Sequence, residues 1–494
     1  MSRTPIGGRI DRTRVLNFRF DGRSYRGYAG DTLASALLAN GVHLMGRSFK
    51  YHRPRGPLAA GAEEPNALVT VTRDSARSTP NLRATQVELY EGLEAFSQNR
   101  WPSLGFDFGA VNDLFARFIP AGFYYKTFMW PAGAWKSLYE PRIRAAAGLG
   151  RAPTEPDPDR YTTRFAHCDV LVVGAGPAGL AAAHAAAAAG ARVMVCDEQN
   201  EPGGSLLAYG ASADPPLEGR PAAVWLRETL RALARNPRVT CLTRTTAFGY
   251  FPHNILGLSE RLTDHLAAPD PQAPRERQWQ VRAREVVLAS GAIERPLVFP
   301  GNDRPGIVLA GAARTWLNRY GVMPGTRAVL VTACDEAYRA ALELARAGVV
   351  IATIADVRAA GPSAAAARAA AAAGIAVVTG VTVLGTGGRR RISSVTLARV
   401  EGGRAVDTET QPCDLLLMSG GYTPSVHLHS QSRGKLVWDE ALTAFLPGDP
   451  AEHTRSAGAC RGVFALEAAF ADGAAAGAAA ARDALTPGRT GVHR

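Results

Sequence analysis

This 494-residue sequence is poor in cysteine, and its cysteines are unevenly placed. The six are Cys168, Cys196, Cys241, Cys334, Cys413 and Cys460. No two of them form a CxxC pair, and none precedes Cys168. A ferredoxin-type iron–sulfur cluster needs four cysteine thiolates, so we predict that the chain holds no iron–sulfur cluster. Scattered single cysteines in a long chain are typical of reduced core residues, which predicts a cytoplasmic location.

Signals for secretion and for membrane insertion are also missing. The N-terminus lacks the apolar core of a signal peptide. The stretch from Val170 to Ala191 contains no Asp, Glu, Lys or Arg and is long enough to span a bilayer. It is mostly alanine and glycine, however, includes His184, and divides into strand, turn and helix. We therefore predict no membrane partner.

The sequence also lacks a redox dithiol and a metal-ligand cluster. The stretch PGGSLLAYG (202–210) contains no cysteine, although a disulfide reductase needs a reactive pair. The ten histidines are dispersed, and the closest pair, His427 and His429, has no third ligand nearby in the sequence. We interpret this pair as surface residues, predict no metal site, and name no catalytic residue.

Acidic residues are scarce at the N-terminus, where residues 1–60 carry eleven Lys/Arg against three Asp. The loop GRSFKYHRPRG (46–56) concentrates this charge and interleaves it with Phe49 and Tyr51. Basic residues mixed with aromatics are found in nucleic-acid sites, in buried anion or subunit contacts, and in solvated loops. Composition alone leaves these three readings open.

The N-terminal part of the sequence indicates a small α+β domain. Alternation in RVLNFRF followed by Asp21–Gly22 predicts a hairpin. GDTLASALLANG predicts a short capped helix, and Ala67–Thr72 predicts a closing strand. This order resembles a β-grasp ferredoxin domain. The aromatic, loop-rich stretch that follows (96–165) is typical of a segment packed over another surface, and it ends in a Pro/Asp-rich linker.

From Cys168 the pattern is α/β, and its first turn carries the chemistry. VVGAGPAGL is a G-x-G-x-x-G motif between a buried strand and an alanine-rich helix. Gly174 makes the tight turn, Gly176 lets a pyrophosphate approach the backbone, and Gly179 lets helix and strand pack closely. Helix N–H groups favour phosphate. We therefore predict a bound dinucleotide.

An acid at the end of the second strand completes this motif. Asp197 ends the strand that follows the alanine-rich helix and is the candidate for the ribose diol, with Glu198 as its rival. The remaining candidate cofactor-binding residues are Ala175, Pro177, Ala178, Gly203, Gly204, Thr246 and Gly291.

The second strand–helix–strand unit (327–358) departs from this pattern. Its turn reads VTACDEAY, without glycine, and places Asp335 and Glu336 where phosphates would lie. Carboxylates repel phosphate. We predict that this unit keeps its fold but does not bind a dinucleotide in the usual way.

Four stretches together resemble the α subunit of heterotetrameric sarcosine oxidase: GDTLASALLANGVHLMGRSFKYHRPRG, EEPNALVTV, GAGPAGL and FADGAAAG. The resemblance implies an α/β fold in which a cluster-less, α+β ferredoxin-like β-grasp domain precedes a two-lobed Rossmann-like FAD/NAD-binding fold of the disulfide-reductase type. It implies NAD in this chain, and FAD with the amine-oxidising site in a separate β subunit. It further implies FMN at the interface of the two chains, and small subunits as additional partners.

We accordingly expect four regions. They are a β-grasp domain (1–95), an aromatic packing segment and linker (96–165), a Rossmann domain (166–300 plus 411–494) and a degenerate Rossmann-like domain (301–410). The family's folate-binding domain is missing before Arg494, so we expect it to be encoded separately, or this chain to serve another amine.

Two choices depend on this resemblance. FAD-binding relatives carry GVFAxGD, whereas GVFALEA (462–468) has Glu467 and Ala468 at the last two positions, which favours NAD over FAD. For the basic loop we favour packing within the chain or against a subunit, then an anionic cofactor or folate tail; we expect no nucleic-acid partner.

The predicted function is sarcosine oxidation to glycine, formaldehyde and H2O2. The alternatives are a subunit of a related opine, proline or glycine dehydrogenase and a free-standing FAD/NAD(P)H oxidoreductase.

Overall fold

The computed structural model describes residues 2–119, 122, 128, 130–131, 133–146, 148, 150–210 and 214–486. The chain divides into two compact units, each formed by two separate stretches of sequence. Unit 1 comprises Met1–Pro158 and Pro296–Gly421, and unit 2 comprises Asp159–Arg295 and Tyr422–Arg494.

The described strands, in chain order, are β1 (Asp11–Phe20), β2 (Arg23–Ala29), β3 (Gly46–Arg47), β4 (Pro54–Arg55), β5 (Leu68–Thr72), β6 (Ser78–Arg83), β7 (Leu93–Ser97), β8 (Arg160–Val173), β9 (Val193–Cys196), β10 (Pro216–Leu217), β11 (Arg220–Pro221), β12 (Val239–Leu242), β13 (Thr245–Phe251), β14 (Ile255–Arg261), β15 (Pro274–Leu288), β16 (Ala292–Glu294), β17 (Ile307–Leu309), β18 (Arg327–Thr332), β19 (Val350–Asp356), β20 (Val377–Thr379), β21 (Val381–Gly388), β22 (Ile392–Glu401), β23 (Arg404–Pro412), β24 (Leu415–Ser419), β25 (Tyr422–Pro424), β26 (Leu436–Asp439), β27 (Ala444–Pro447) and β28 (Thr454–Ser456).

The described α-helices are α1 (Leu33–Ala39), α2 (Val111–Leu114), α3 (Glu140–Ala146), α4 (Pro177–Ala188), α5 (Ala222–Arg235), α6 (Ala310–Tyr320), α7 (Glu336–Arg346), α8 (Ala364–Ala372), α9 (His427–Gln431) and α10 (Leu466–Leu485). Short 3-10 turns include Gly204–Ala208 and Gly458–Arg461.

The N-terminal part of unit 1 is a five-stranded sheet, in the order β2-β1-β7-β5-β6, with α1 against it. The β1–β2 hairpin turns at Asp21 and Gly22, whose positive φ angles of 49° and 77° suit this Asp-Gly pair. Helix α1 begins after Thr32, whose side chain accepts the N–H of Ser35, and it buries Leu33 and Leu37. The predicted hairpin and short helix are therefore present in the structure.

The rest of unit 1 contains a five-stranded parallel sheet, in the order β17-β24-β18-β19-β20, and an antiparallel sheet of β21, β22 and β23. Strand β24 is buried throughout, because it lies between β17 and β18 in the middle of the parallel sheet.

Unit 2 is built on a seven-stranded sheet in which β8 lies between β9 and β15, parallel to both. Val173 pairs with Cys196 on one side and with Leu288 on the other, so the carboxyl ends of the three strands reach the same edge. In open α/β sheets, ligands bind outside this edge. The four predicted domain boundaries stay a prediction.

Candidate dinucleotide site

The glycine turn of unit 2 connects β8 to α4, and two of its glycines are fixed by close packing. Gly174 has φ +99°, a conformation that favours glycine, and a Cβ there would collide with the carbonyl oxygen of Ala289 on the neighbouring strand. A Cβ on Gly179 would collide with the carbonyl oxygen of Gly174. In the structure these two glycines therefore allow the tight turn and the close approach of helix and strand.

Gly176 differs because a Cβ on it would collide with no protein atom. The nearest protein atom to that position is the Cα of Gly204, 3.9 Å away. Gly204 is itself in the left-handed region at φ +53°, and the neighbouring Gly203 donates its N–H to the carbonyl of Ala175 at 2.8 Å. The backbone around Gly176 thus leaves room for a ligand atom.

The first turn of α4 borders this open space. Gly176 is the N-cap, no side chain caps the helix, and Pro177 occupies the first helical turn. The free N–H groups here include those of Ala178 and Gly179, because N–H donors in a first turn have no partner within the helix. An uncapped helix N-terminus beside an open glycine backbone suits the pyrophosphate of a dinucleotide.

Asp197 lies at the end of β9, directly beside the turn. Its Oδ2 accepts the N–H of Ala175 at 2.6 Å, and its Oδ1 accepts the N–H of Gln199 at 2.8 Å. The half-buried carboxylate is therefore held in place by the backbone, at the edge where a ribose would follow the pyrophosphate. Glu198 is also half-buried, and its carbonyl accepts from Arg261 at 3.1 Å.

The last two candidates lie in or shortly after strands of the seven-stranded sheet. Thr246 is exposed at the start of β13, next to Thr245, whose N–H donates to the carbonyl of Asp197 at 2.8 Å. Gly291 follows β15, has φ +74°, and its carbonyl accepts the N–H of Ser425 at 3.0 Å.

Sequence reasoning missed the residues that fix α10 against α4. A Cβ on Gly473 or Gly477 would collide with the backbone of Ala178 or Ala182, so these glycines allow the two helices to touch. The G-x-x-x-G spacing in DGAAAG was the available signal. Asp472 supports the same contact, because its carboxylate accepts the N–H of Gly458 at 2.8 Å.

The turn after β18, which belongs to the second strand–helix–strand unit (β18, α7 and β19) and lies in unit 1, has a different structure. Asp335 accepts from Arg358 at 2.7 Å and from the N–H of Ser363 at 3.1 Å. Asp356, fully buried at the end of β19, also pairs with Arg358 at 2.7 Å and accepts the hydroxyl of Tyr338 at 2.9 Å. Side chains of the protein therefore occupy this edge of the sheet in unit 1, whereas the glycine turn of unit 2 leaves the corresponding edge open.

The electrostatics of this second turn follow from the pairing. Burial raises the pKa of the Asp335 carboxyl, but hydrogen bonds from Ser363 and Arg358 outweigh it and lower the pKa below its ordinary value. Hydrogen bonding to Asp356 raises the pKa of Arg358. Burial, followed by the hydrogen bond to Asp356, raises the pKa of Tyr338.

One expectation from the sequence was wrong. His429, interpreted as a surface residue, is buried in α9, where its Nε2 lies 3.0 Å from the carbonyl of Lys435. His427 lies on the same helix and is exposed. No group of three potential ligands that could hold a metal is present among the described residues. Within the same part of the chain, no helix combines the length and apolarity needed to cross a bilayer.

Two protein families match this chain. Residues 168–449, which include the glycine turn, match the family described as pyridine nucleotide-disulphide oxidoreductase. Residues 13–100 match a 2Fe-2S iron–sulfur cluster binding domain. The L-proline dehydrogenase from P. horikoshii has a similar structure, with a TM-score of 0.64 and 18% identity over 98% of this chain and 76% of that one. The predicted fold class is confirmed.

Curated relatives extend the similarity over nearly the whole chain. The sarcosine oxidase α subunit of Rhizobium meliloti (strain 1021) is 50% identical over 485 residues, 98% of this chain and 48% of the relative. The protein of that name from Corynebacterium sp. (strain P-1) is 40% identical over 96% of this chain and 44% of its own. An opine oxidase subunit of Agrobacterium tumefaciens (strain Ach5) is 30% identical over 56% of this chain and 57% of its own. The predicted resemblance is confirmed, and the chain spans about half the length of these relatives.

The cofactor prediction needs a correction. We predicted no iron–sulfur cluster, and the match of residues 13–100 to a 2Fe-2S cluster binding domain contradicts this prediction. The prediction relied only on the lack of cysteine, whereas the family match depends on the whole pattern of the domain.

The loop of residues 58–67 contains no cysteine. A plant-type cluster takes ligands at C-x4-C-x2-C spacing, which here can be laid on Ala59, Glu64 and Ala67. The buried Glu64 carboxylate accepts backbone N–H groups from Leu58 and Ala59, both at 2.7 Å, and from Ala67 at 2.8 Å. These side chains are not thiols and do not fit the usual ligand set.

Proposed function

This chain belongs to the pyridine nucleotide-disulphide oxidoreductase family, and we propose that it is the α-type subunit of a multi-subunit, flavin-dependent secondary-amine oxidase. The observation that carries the proposal is 50% identity over 485 residues to a sarcosine oxidase α subunit. Sarcosine is the proposed substrate, with glycine, formaldehyde and H2O2 as products. The amine is oxidised on a partner flavoprotein chain, and the cytoplasmic location stays a prediction.

The role of this chain in the proposed enzyme is to hold a dinucleotide at the glycine turn. Gly176 and the first turn of α4 would hold the pyrophosphate, and Asp197 would accept hydrogen bonds from the ribose diol. A dinucleotide supplies hydride chemistry when its nicotinamide or flavin is accessible. The carboxylate of Asp197 repels a 2′-phosphate, which argues against NADP.

We further propose NAD rather than FAD at this turn. Ala468, in the first turn of α10, offers no carboxylate for a ribityl chain, and Glu467 beside it is exposed. FMN at an interface with the partner chain stays a prediction.

A second substrate class has support from the relatives. The opine oxidase chain of Agrobacterium tumefaciens matches 308 residues at 30% identity, which favours an opine as the alternative amine. A free-standing disulfide reductase has less support, because Pro202–Gly210 lacks the dithiol that such an enzyme needs.

The experiment is to co-express this chain with the flavoprotein subunit of its native complex and to measure amine-dependent oxygen consumption. We expect sarcosine to give H2O2 and formaldehyde in equal amounts, and the isolated chain to give neither. Oxidation of octopine or proline without oxidation of sarcosine would contradict the proposed substrate. Amine-dependent turnover by the isolated chain would contradict its proposed role within a larger complex.

A further inference from the structure

The segment that follows the N-terminal sheet of unit 1 presents a row of apolar side chains to solvent. Between Trp101 and Phe118, every member of this row is 51–81% exposed. We call the row the aromatic ridge; it consists of Trp101, Phe106, Phe108, Leu114, Phe115 and Phe118. Single exposed apolar residues are ordinary, but a contiguous group of this size marks an interaction surface.

The rings of the ridge contact one another. Trp101 and Phe108 have ring centroids 5.0 Å apart, and Phe106 meets Phe108 edge-to-face at 4.8 Å. Such pairs are in the favoured range for aromatic contacts. Trp101, Phe106 and Phe108 therefore form one aromatic cluster, and Leu114, Phe115 and Phe118 follow it in the same exposed segment.

The buried carboxylate of Asp107 fixes the backbone that carries these exposed rings. Asp107, whose side chain is fully buried, accepts the backbone N–H groups of Trp101 and Gly109, both at 3.0 Å. The same carboxylate lies 2.8 Å from Nδ1 of His52 and 3.2 Å from Nε of Arg47. The ridge is thus anchored to the basic loop 46–56.

Three further contacts join the basic loop to the segment. The hydroxyl of Tyr51 donates to the carbonyl of Ile119 at 2.8 Å. The amide of Asn112 donates to the carbonyl of Lys50 at 3.2 Å, and Arg53 pairs with Asp113 at 2.7 Å. These contacts between the basic loop and residues 112–119 fix the backbone of the segment that carries the ridge. The exposed side chains of the ridge are therefore pre-organised for binding.

The surroundings of the ridge are positively charged. Residues 46–56 and 99–119 together contain six Lys/Arg and two Asp, a formal charge of +4. Asp107 pairs with Arg47 and Asp113 with Arg53. Two further cations of these ranges pair with carboxylates outside them, Arg55 with Asp303 and Arg100 with Asp21, so the local charge is +2 once these carboxylates are counted. A second copy of this chain would bring like charges together, whereas a partner with an acidic rim would be attracted.

We propose that the aromatic ridge is the docking surface for the flavin-bearing subunit of the amine oxidase, and that the matching face of that subunit is apolar with an acidic rim. This inference rests on the proposed function. Aromatic anchors surrounded by complementary charge are typical of residues that dominate binding energy at protein interfaces.

The test uses the triple variant Phe106→Ser/Leu114→Ser/Phe118→Ser, co-expressed with the flavoprotein subunit. We expect at least tenfold weaker association, measured by size-exclusion chromatography with flavin absorbance and by titration of the separated chains. The matched control is Val298→Ser, an apolar residue of unit 1 that is 96% exposed and lies outside the ridge. Thermal unfolding and the amount of bound nucleotide should be the same in both variants and the wild type.

Charge is tested separately with Lys50→Glu/Arg117→Glu. We expect slower association and a weaker dependence of the rate on salt, because these changes reduce the attraction to an acidic rim.

Retention of wild-type affinity by the triple variant would overturn the proposal. A wild-type homodimer that the triple variant abolishes would also overturn it, since the occupant would then be a second copy. A complex that requires the ridge but oxidises no secondary amine would refute the proposed function alone.

Discussion

The two strand–helix–strand units of this chain share a topology and differ in what occupies the turn after the first strand. In unit 2, Gly174–Gly176 leaves a bare backbone beside an uncapped helix. In unit 1, Asp335 and Asp356 hold Arg358 across the corresponding edge. Both units keep a buried parallel sheet, although their turns differ. A nucleotide-binding fold therefore implies a nucleotide only where the turn itself can accept phosphate.

The difference is electrostatic as well as steric. The first of these, the glycine turn, offers uncapped helix N–H groups beside Gly176, and the nearby Asp197 carboxylate accepts the N–H of Ala175. In the second, the carboxylate of Asp335 lies at the N-cap of α7, where it is favourable for the helix but repels an anion. Three predictions test this comparison.

The largest effect is expected for Gly176→Val. The Cβ of the new side chain would lie 3.9 Å from the Cα of Gly204, so we expect the chain to fold, whereas the branched side chain would fill the space left for the pyrophosphate. We expect wild-type protein to release stoichiometric NAD on heating and the variant to release less than about a tenth of that amount, measured by chromatography.

The matched control is Gly385→Val. This glycine lies in strand β21, with no atom within 4 Å of a Cβ and no positive φ, so nucleotide content should not change. Equal NAD in Gly176→Val and wild type would refute the site. Stoichiometric FAD in the wild type would refute the choice of NAD.

An intermediate effect is expected for Arg358→Ala. Removing the guanidinium leaves the fully buried Asp356 without its cation, which should lower the free energy of unfolding by about 1–3 kcal/mol. Arg339→Ala, which breaks an exposed pair with Glu336, should cost below about 0.5 kcal/mol. Chemical denaturation measures both, and equal stability of the two variants would show that the ion pairs do not hold this turn.

The smallest effect concerns pH. Hydrogen bonds lower the pKa of Asp335 in the folded chain below its ordinary 3.8, so its stabilising contribution is present above about pH 4 and is lost as the pH falls further. Asp335→Asn should therefore lower the melting temperature at pH 7 and have little effect at pH 3. In the Arg358→Ala background the difference at pH 7 should shrink, because the two residues interact directly. An undiminished difference would show that Arg358 is not its source.

Much of the site could be predicted from the sequence because its requirements are local. Gly174, Gly176 and Gly179 follow from the backbone that a strand–turn–helix needs around a phosphate, and Asp197 follows from the length of one helix and one strand. The hairpin at Asp21–Gly22 is local in the same sense. Such features depend on neighbours within a few turns, so a short window of sequence determines them.

The tertiary structure decided what pairs over long distances. Glu64 is read from the sequence as one more acid, yet its carboxylate accepts N–H groups on both sides of a folded loop. Asp107 contacts His52, which is distant in the sequence, and Gly473 contacts the backbone of an earlier helix at Ala178. These partners are selected by three-dimensional packing, in which burial makes an unpaired charge or a misplaced Cβ costly. The sequence alone therefore determined the glycine turn, and only the folded chain determined that the basic loop contacts the aromatic ridge and that Arg358 pairs across the second turn.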